Sequence, residues 1–184
     1  FFSVDPGADA TLGGAPSTGA AGTTTVKYGS MRENVLALTA VLADGTLINV
    51  GRSTRKLSAG YDLTRLLVGS EGTLAVITEL TLRIFGIPER MSAAIVRFNS
   101  LADGVAAATR VVQMGINVAR CEFLDPASIR NANKHSGLTL PEQPTLLFEF
   151  HGSPANVESD AQSAKEIVQE FGGSDFEWTS DEGE

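Results

Sequence analysis

Side chains able to do acid–base, nucleophilic or metal chemistry are few and scattered in this sequence. The two histidines, His135 and His151, have no cysteine or second histidine at ligand spacing, so a metal site built from this chain alone is not expected. The single cysteine, Cys121, excludes an internal disulfide. It stands in VARCEFL, where a strand would bury it as an inert thiol. Glu122 and Glu149 fall within strand-like segments, where they could face a cleft or stand as solvated or ion-paired carboxylates. No Ser-His-Asp or Cys-His set can be assembled. Bare backbone is what the sequence offers instead. Gly69-Ser70-Glu71-Gly72-Thr73 is a turn with two glycines, where the chain can take φ > 0 or let another molecule approach closely. Its main-chain N–H and C=O groups have little side-chain bulk in front of them, which suits a flat, hydrogen-bonding ring. The same residues would also serve as an ordinary helix–turn–strand connection.

The neighbouring elements are those that would position such a turn. Tyr61–Leu67 reads as one or two turns of helix with Leu63, Leu66 and Leu67 on one face. Leu74–Ile84 alternates as a half-buried strand, with Leu80, Leu82 and Ile84 on one side and Thr81 and Arg83 on the other. A second small-residue stretch, Ala15–Gly22, follows the turn Asp5-Pro6-Gly7 and the sequence Ala10-Thr11-Leu12-Gly13-Gly14. Pro16 fits a first helical turn, and Ser17 or Thr18 could cap or line a helix start. A glycine-rich turn opening a helix can hold an anion; small residues equally allow backbone to pack on backbone.

The segment GYDLTRLLVGSEGTLAVIT resembles the flavin-contacting segment of FAD-linked oxidases and dehydrogenases of the vanillyl-alcohol oxidase and p-cresol methylhydroxylase type. Within that family it is similar to the D-lactate dehydrogenase (cytochrome) and glycolate oxidase flavoprotein group. The resemblance implies an isoalloxazine ring lying along Glu71, Gly72, Ala75, Val76 and Ile77. Ala75 stands where the family usually has glycine, adding a methyl group close to the expected ring position. DPGADATLGG and TGAAG resemble the family's contacts to the ribityl chain and pyrophosphate region. By motif the carry-over falls on Asp5 to Thr11 (with Pro6 and Gly7), Gly13, Gly14, Thr18, Gly19, Ala20, Ala21 and Gly22. Pro16 and Ala21 depart from the family pattern, and Ala21 removes a possible hydroxyl donor to phosphate. VKYGSMR resembles a basic-aromatic-Gly step toward the flavin through Tyr28. Read without the family, it is a surface turn with Lys27 and Arg32 solvated.

Composition places two changes near one point. Residues 1–90 carry eight acidic and eight basic side chains, whereas residues 91–184 carry fourteen and six; twelve of the nineteen glycines lie in the first half. The expected boundary is therefore Gly86–Arg90. A net charge of −8 with no basic stripe argues against a nucleic-acid partner. No apolar run approaches the roughly 20 residues of a membrane span. The start, FFSVDPGADA, has no basic n-region or cleavage pattern and is not expected to be a signal peptide. The lone cysteine fits a reducing compartment, the cytoplasm or, in a eukaryote, the mitochondrion.

An Asp44-Gly45 pair between LALTAVLA and TLINV predicts a β-hairpin. In the second half, strands are expected at 93–98, 118–124, 145–151 and 175–179. A helix over 101–115 would bury Leu101, Val105, Ala108 and Val112, starting from a capping-box-like Ser100 and Asp103. A helix over 154–171 would bury Val157, Ala161, Ala164, Val168 and Phe171, and Asp125–Ser136 is a polar helix or loop. The order βαββαβ is that of a ferredoxin-like unit.

The expected fold is thus α+β with two sub-structures. Residues 1–90 would be the second subdomain of an FAD-binding domain, mainly an antiparallel sheet with helices; residues 91–184 would begin a ferredoxin-like substrate or cap domain. VARCEFLD, SGLTLPEQPTLLFEFHGS and GGSDFEWTSD extend the resemblance through that half. It implies a longer flavoprotein, with a first FAD subdomain before Phe1 and a histidine-rich metal and substrate segment after Glu184. Such a protein would bind FAD, oxidise a small 2-hydroxy acid and pass electrons to an acceptor. This portion alone would hold FAD weakly or not at all. The competing expectation is a free-standing α+β binding module with no redox role.

Overall fold

The computed structural model describes residues 1–179 except Ala8, Arg55 and Leu57. The chain divides into two units, Phe1–Ile87 and Pro88–Glu184.

In the first unit, alternating apolar residues make β1 (Val35–Leu42), β2 (Leu47–Gly51) and β3 (Ala75–Leu82), an antiparallel sheet in the order β2-β1-β3. The Asp44-Gly45 hairpin forms as the sequence predicts, with Gly45 at φ +85°. Short helices α1 (Gly14–Thr18), α2 (Thr25–Tyr28), α3 (Met31–Asn34) and α4 (Leu63–Leu67) accompany the sheet. Met31, Leu67 and Val68 bury against Leu38, Ala40 and Ala75, each large side chain stabilising by roughly 1.5–3 kcal/mol.

Four local expectations change here. Thr64 and Leu67 form the inward face of α4, while Leu63 and Leu66 stay exposed, because a single turn can present only one i, i+3 pair. β3 ends at Leu82 and Ile84 lies exposed beyond it. The pairing skips from Thr39↔Glu79 to Ala40↔Ile77, so Thr78 is an extra, bulged residue, and Ala75 and Ile77 share the inward side with Leu80 and Leu82. VKYGSMR is not a bare surface turn: Tyr28 and Met31 are buried in consecutive helical turns.

The second unit contains β4 (Arg90–Arg97), α5 (Leu101–Gln113), β5 (Val118–Leu124), α6 (Pro126–Ser136), β6 (Thr145–Gly152), α7 (Pro154–Glu170) and β7 (Ser174–Thr179). Its sheet is antiparallel in the order β5-β6-β4-β7, the ferredoxin-like arrangement, with α6 inserted between the two strands β5 and β6. Pro at the first turn and a Ser153 cap start α7, which buries Val157, Ala161, Ala164 and Val168. The helix α5 is rotated from its expected stripe. Gly104, Ala107 and Val111 face the sheet, and Leu101, Val105 and Val112 are exposed. Gly104 explains the rotation: a Cβ there would lie 2.5 Å from Phe123, so the helix uses its small face to approach Phe98 and Phe123 closely.

A site of bare backbone in the first unit

Two separate stretches meet at the glycine turn, and a third packs against the one that follows α1. The N–H of Gly69 donates to the Pro16 carbonyl at 2.8 Å, and the N–H of Glu71 donates to the Ser17 carbonyl at 2.9 Å. At Gly19 a Cβ would come 3.3 Å from the Gly69 Cα, so the two turns touch backbone to backbone. On the other side, a Cβ on Gly22 would lie 2.0 Å from the Asp5 carbonyl oxygen, and Thr24 Oγ1 donates to the Ser3 carbonyl at 2.8 Å. The two glycines of TGAAG, Gly19 and Gly22, are what this packing requires.

Each turn is set locally. Thr11 Oγ1 accepts from the Gly14 N–H at 2.9 Å just ahead of α1, whose N-cap is Gly13, so the helix begins before Ser17 and Thr18 rather than at them. Thr18 turns its hydroxyl back to the Gly14 carbonyl at 3.1 Å, and Gly19 closes the helix in the left-handed region at φ +67°. Gly69, Glu71 and Gly72 take φ of +85°, +51° and +78°. Glu71 is thereby a non-glycine in a conformation that costs about 1–2 kcal/mol. Asp5 accepts from the Gly7 N–H at 3.2 Å, which bends the exposed segment that follows. Glu33 closes a capping box on Ser30, 2.6 Å from its hydroxyl, and that hydrogen bond holds the carboxyl below its usual range.

The expected residues are distributed unevenly over this arrangement. Asp5, Gly19, Gly22, Glu71 and Gly72 lie at or beside the junctions just described, and Ala75, Val76 and Ile77 continue from the turn into the edge strand β3. Ala20 ties the region to α3 by accepting from the Met31 N–H at 2.9 Å. Pro6, Gly7, Gly13, Gly14, Thr18 and Ala21 are exposed, and Ala8 lies outside the described residues. Tyr28 is not aimed at the turn: its ring, 8% exposed, sits edge-on to Phe1 and Phe85. The Ala75 methyl is 6% exposed and belongs to the core, while the next side chain, Val76, is 62% exposed. Sequence reasoning missed Pro16 and Ser17 as anchors, because they act through carbonyls. It also missed Arg32, whose Nη2 donates to the Val68 carbonyl at 3.4 Å beside Gly69.

Nothing at three of the expected contact positions obstructs the approach of a planar, phosphate-bearing group. A Cβ on Gly7, Gly13 or Gly72 would meet nothing within 4 Å, so the backbone there is bare toward open space. Among the described residues no cluster of three side chains could hold a metal ion, and no helix is long and apolar enough to cross a membrane.

The chain belongs to the FAD linked oxidase family: residues 87–184 match its C-terminal domain, and residues 1–51 match an FAD binding domain. A probable mitochondrial D-lactate dehydrogenase of Danio rerio is 49% identical over 99% of this chain and 37% of its own length. The mitochondrial D-lactate dehydrogenase [cytochrome] of Arabidopsis thaliana is 44% identical over 96% of this chain and 31% of its own. Glycolate oxidase subunit GlcD of Bacillus subtilis is 32% identical over 92% and 37%. The chain therefore spans about a third of the curated relatives it matches. Alkyldihydroxyacetonephosphate synthase shares the fold, with a TM-score of 0.72 at 19% identity over 93% of this chain and 35% of that one.

Proposed function

We propose that this chain is the middle portion of an FAD-dependent 2-hydroxy-acid dehydrogenase of the D-lactate or glycolate type. Phe1–Ile87 corresponds in this reading to the second subdomain of the FAD-binding domain, and Pro88 onward to the start of the substrate or cap domain. The observation that carries it is the meeting of Pro16–Gly19 with Gly69–Glu71, which joins two stretches that resemble separate flavin contacts. Relatives named D-lactate dehydrogenase and glycolate oxidase subunit support the same reading.

When bound, the flavin supplies the redox chemistry, accepting a hydride from the hydroxyl-bearing carbon. The residues here orient and shield it. Gly72 and the main chain of Ala75, Val76 and Ile77 would hold the ring's polar edge through N–H and C=O groups. Asp5 to Thr11, Gly13, Gly14 and Thr18 to Gly22 would line the ribityl and pyrophosphate side, with Ala21 able to contribute only main-chain contacts. Tyr28 would act by packing behind them. The electron acceptor in this reading is a cytochrome and the compartment the mitochondrion, as the Arabidopsis relative's name states for that protein.

The test is to express the full-length parent and measure flavin per protein, then turnover of D-lactate and of glycolate with an artificial acceptor. Stoichiometric flavin with oxidation of either acid is the expected result. A flavin-free, inactive parent would overturn the proposal.

A further inference from the structure

In the first unit a cavity of about 360 Å³ opens between α3, the start of β1, the end of β2 and the start of α4. Four arginines line it, Arg32, Arg52, Arg65 and Arg83, against two carboxylates, Glu33 and Asp62. The lining therefore carries an excess of two positive charges, in a chain whose net charge is −8. None of the positions expected to touch flavin is among the lining residues.

Both carboxylates are already engaged. Glu33 closes the capping box on Ser30, while Asp62 accepts from the Arg65 N–H at 3.0 Å and pairs with Arg65 Nε at 3.6 Å. Arg32 Nη2 donates to the Val68 carbonyl at 3.4 Å, a neutral acceptor that leaves its charge uncompensated. Arg52 makes no ion pair and no side-chain hydrogen bond among the described residues. Thr64 lines the same cavity and is only 5% exposed. Its Oγ1 is not sealed off, yet has no hydrogen-bond partner among the described residues. A Cβ on Gly51 would come within 2.6 Å of that oxygen, so the glycine, at φ +82°, is what lets β2 pass beside it.

A nearly buried hydroxyl without a partner is unfavourable until something supplies one. Here its neighbours are guanidinium groups, which can only donate. An oxygen-rich anion satisfies both kinds of donor at once, and guanidinium forks match carboxylate and phosphate oxygens in particular. The two excess charges set the charge of that anion.

We propose that this cavity binds a small dianion, a phosphate or a dicarboxylate, held by Arg32, Arg52 and Arg65 with the Thr64 hydroxyl as a further donor. The site stands on these residues alone and does not rest on the assignment of a flavin or a substrate to the chain.

Isothermal titration calorimetry of the full-length protein, with inorganic phosphate and separately with malonate, tests this at an ionic strength held constant with sodium chloride. Saturable binding is the expected result. The tighter of the two names the source, a phosphorylated ligand or a dicarboxylate. Arg52→Gln should weaken binding by about tenfold, the loss of one charge-assisted hydrogen bond, and Thr64→Val by several-fold. Arg110→Gln, at an exposed position on α5, should change nothing. Because Arg52 is exposed, its variant should keep the wild-type Tm without added anion; phosphate should then raise Tm in the wild type and much less in the variant. Heats no larger than those of sodium chloride overturn the proposal. So does equal affinity in the wild type and both cavity variants, which would put the anion elsewhere, or an equal loss in Arg110→Gln, which would reduce the effect to general surface charge.

Discussion

Glu71 gives its N–H to the carbonyl of Ser17 at 2.9 Å while holding φ at +51°. That bond joins two turns far apart in sequence and offsets the conformational cost at Glu71. It also leaves the following residue, Gly72, at φ +78° with open space where a side chain would be. The turn is therefore constrained by conformation rather than by crowding.

Replacing Gly72 by Val in the full-length protein should accordingly reduce flavin loading sharply. A β-branched residue at that φ costs roughly 1–3 kcal/mol and forces the turn to rearrange. The flavin-to-protein absorbance ratio measures it. Gly72→Asn, which tolerates left-handed φ, should lose much less. Normal loading by the valine variant would return this turn to being a plain connection.

Gly22→Ala should act through packing instead. Its methyl would fall 2.0 Å from the Asp5 carbonyl oxygen and 2.8 Å from the Asp5 nitrogen, and backbone cannot swing aside as a side chain can. A loss of about 1–3 kcal/mol is expected from urea unfolding, with early exposure of Ser3–Asp5 to proteolysis.

Glu149 sets an acid limit on the second unit. The His151 hydrogen bond, reinforced by the Arg120 charge, holds its carboxyl below the usual 4.5. A folded-state value below the unfolded one contributes stability above about pH 4.5, lost as pH falls through the lower, folded value. Wild-type protein should then lose more Tm than Glu149→Gln between pH 5 and 3. Parallel pH profiles for the two would exclude this contribution.

Cys121 should be silent. Burial, with the neighbouring Glu122 charge, pushes its thiol up to about 11. Alkylation at pH 8 should proceed only after unfolding; fast labelling of the native protein would contradict the burial.

Much of the second unit was legible because its signals are local. Val157, Ala161, Ala164 and Val168 recur at helical spacing, and Ser153 and Pro154 mark where that helix begins. The α5 stripe misled because Gly104 and Ala107 carry little hydrophobic weight, yet close approach to Phe98 and Phe123 selects them over Val105 and Val112. Thr78 gives no sign in the sequence of being an extra residue, so the inward side of β3 could not be followed past it. The glycine turns were readable as turns. Their partners were not, since Pro16 and Ser17 contribute carbonyls that every residue possesses, and the burial of Tyr28 depends on Phe1 and Phe85 from the ends of the first unit.

The last prediction separates two accounts of Ala75. Where the family has glycine, a methyl group is expected to crowd the ring; in the structure that methyl lies in the core with Leu38 and Val68, and it is Val76 that faces outward. Ala75→Gly should therefore cost stability rather than improve cofactor binding. One buried methyl contributes about 0.8 kcal/mol, and glycine within a strand loses a further 0.5–1 kcal/mol. The expected loss is about 1–2 kcal/mol in chemical unfolding of the full-length protein, with flavin affinity unchanged when measured below the unfolding transition. Val76→Ala should show the opposite pattern, little change in stability with weaker flavin retention. If Ala75→Gly instead tightened flavin binding with stability intact, the methyl would be facing the ring and the inward placement of Ala75 would be wrong.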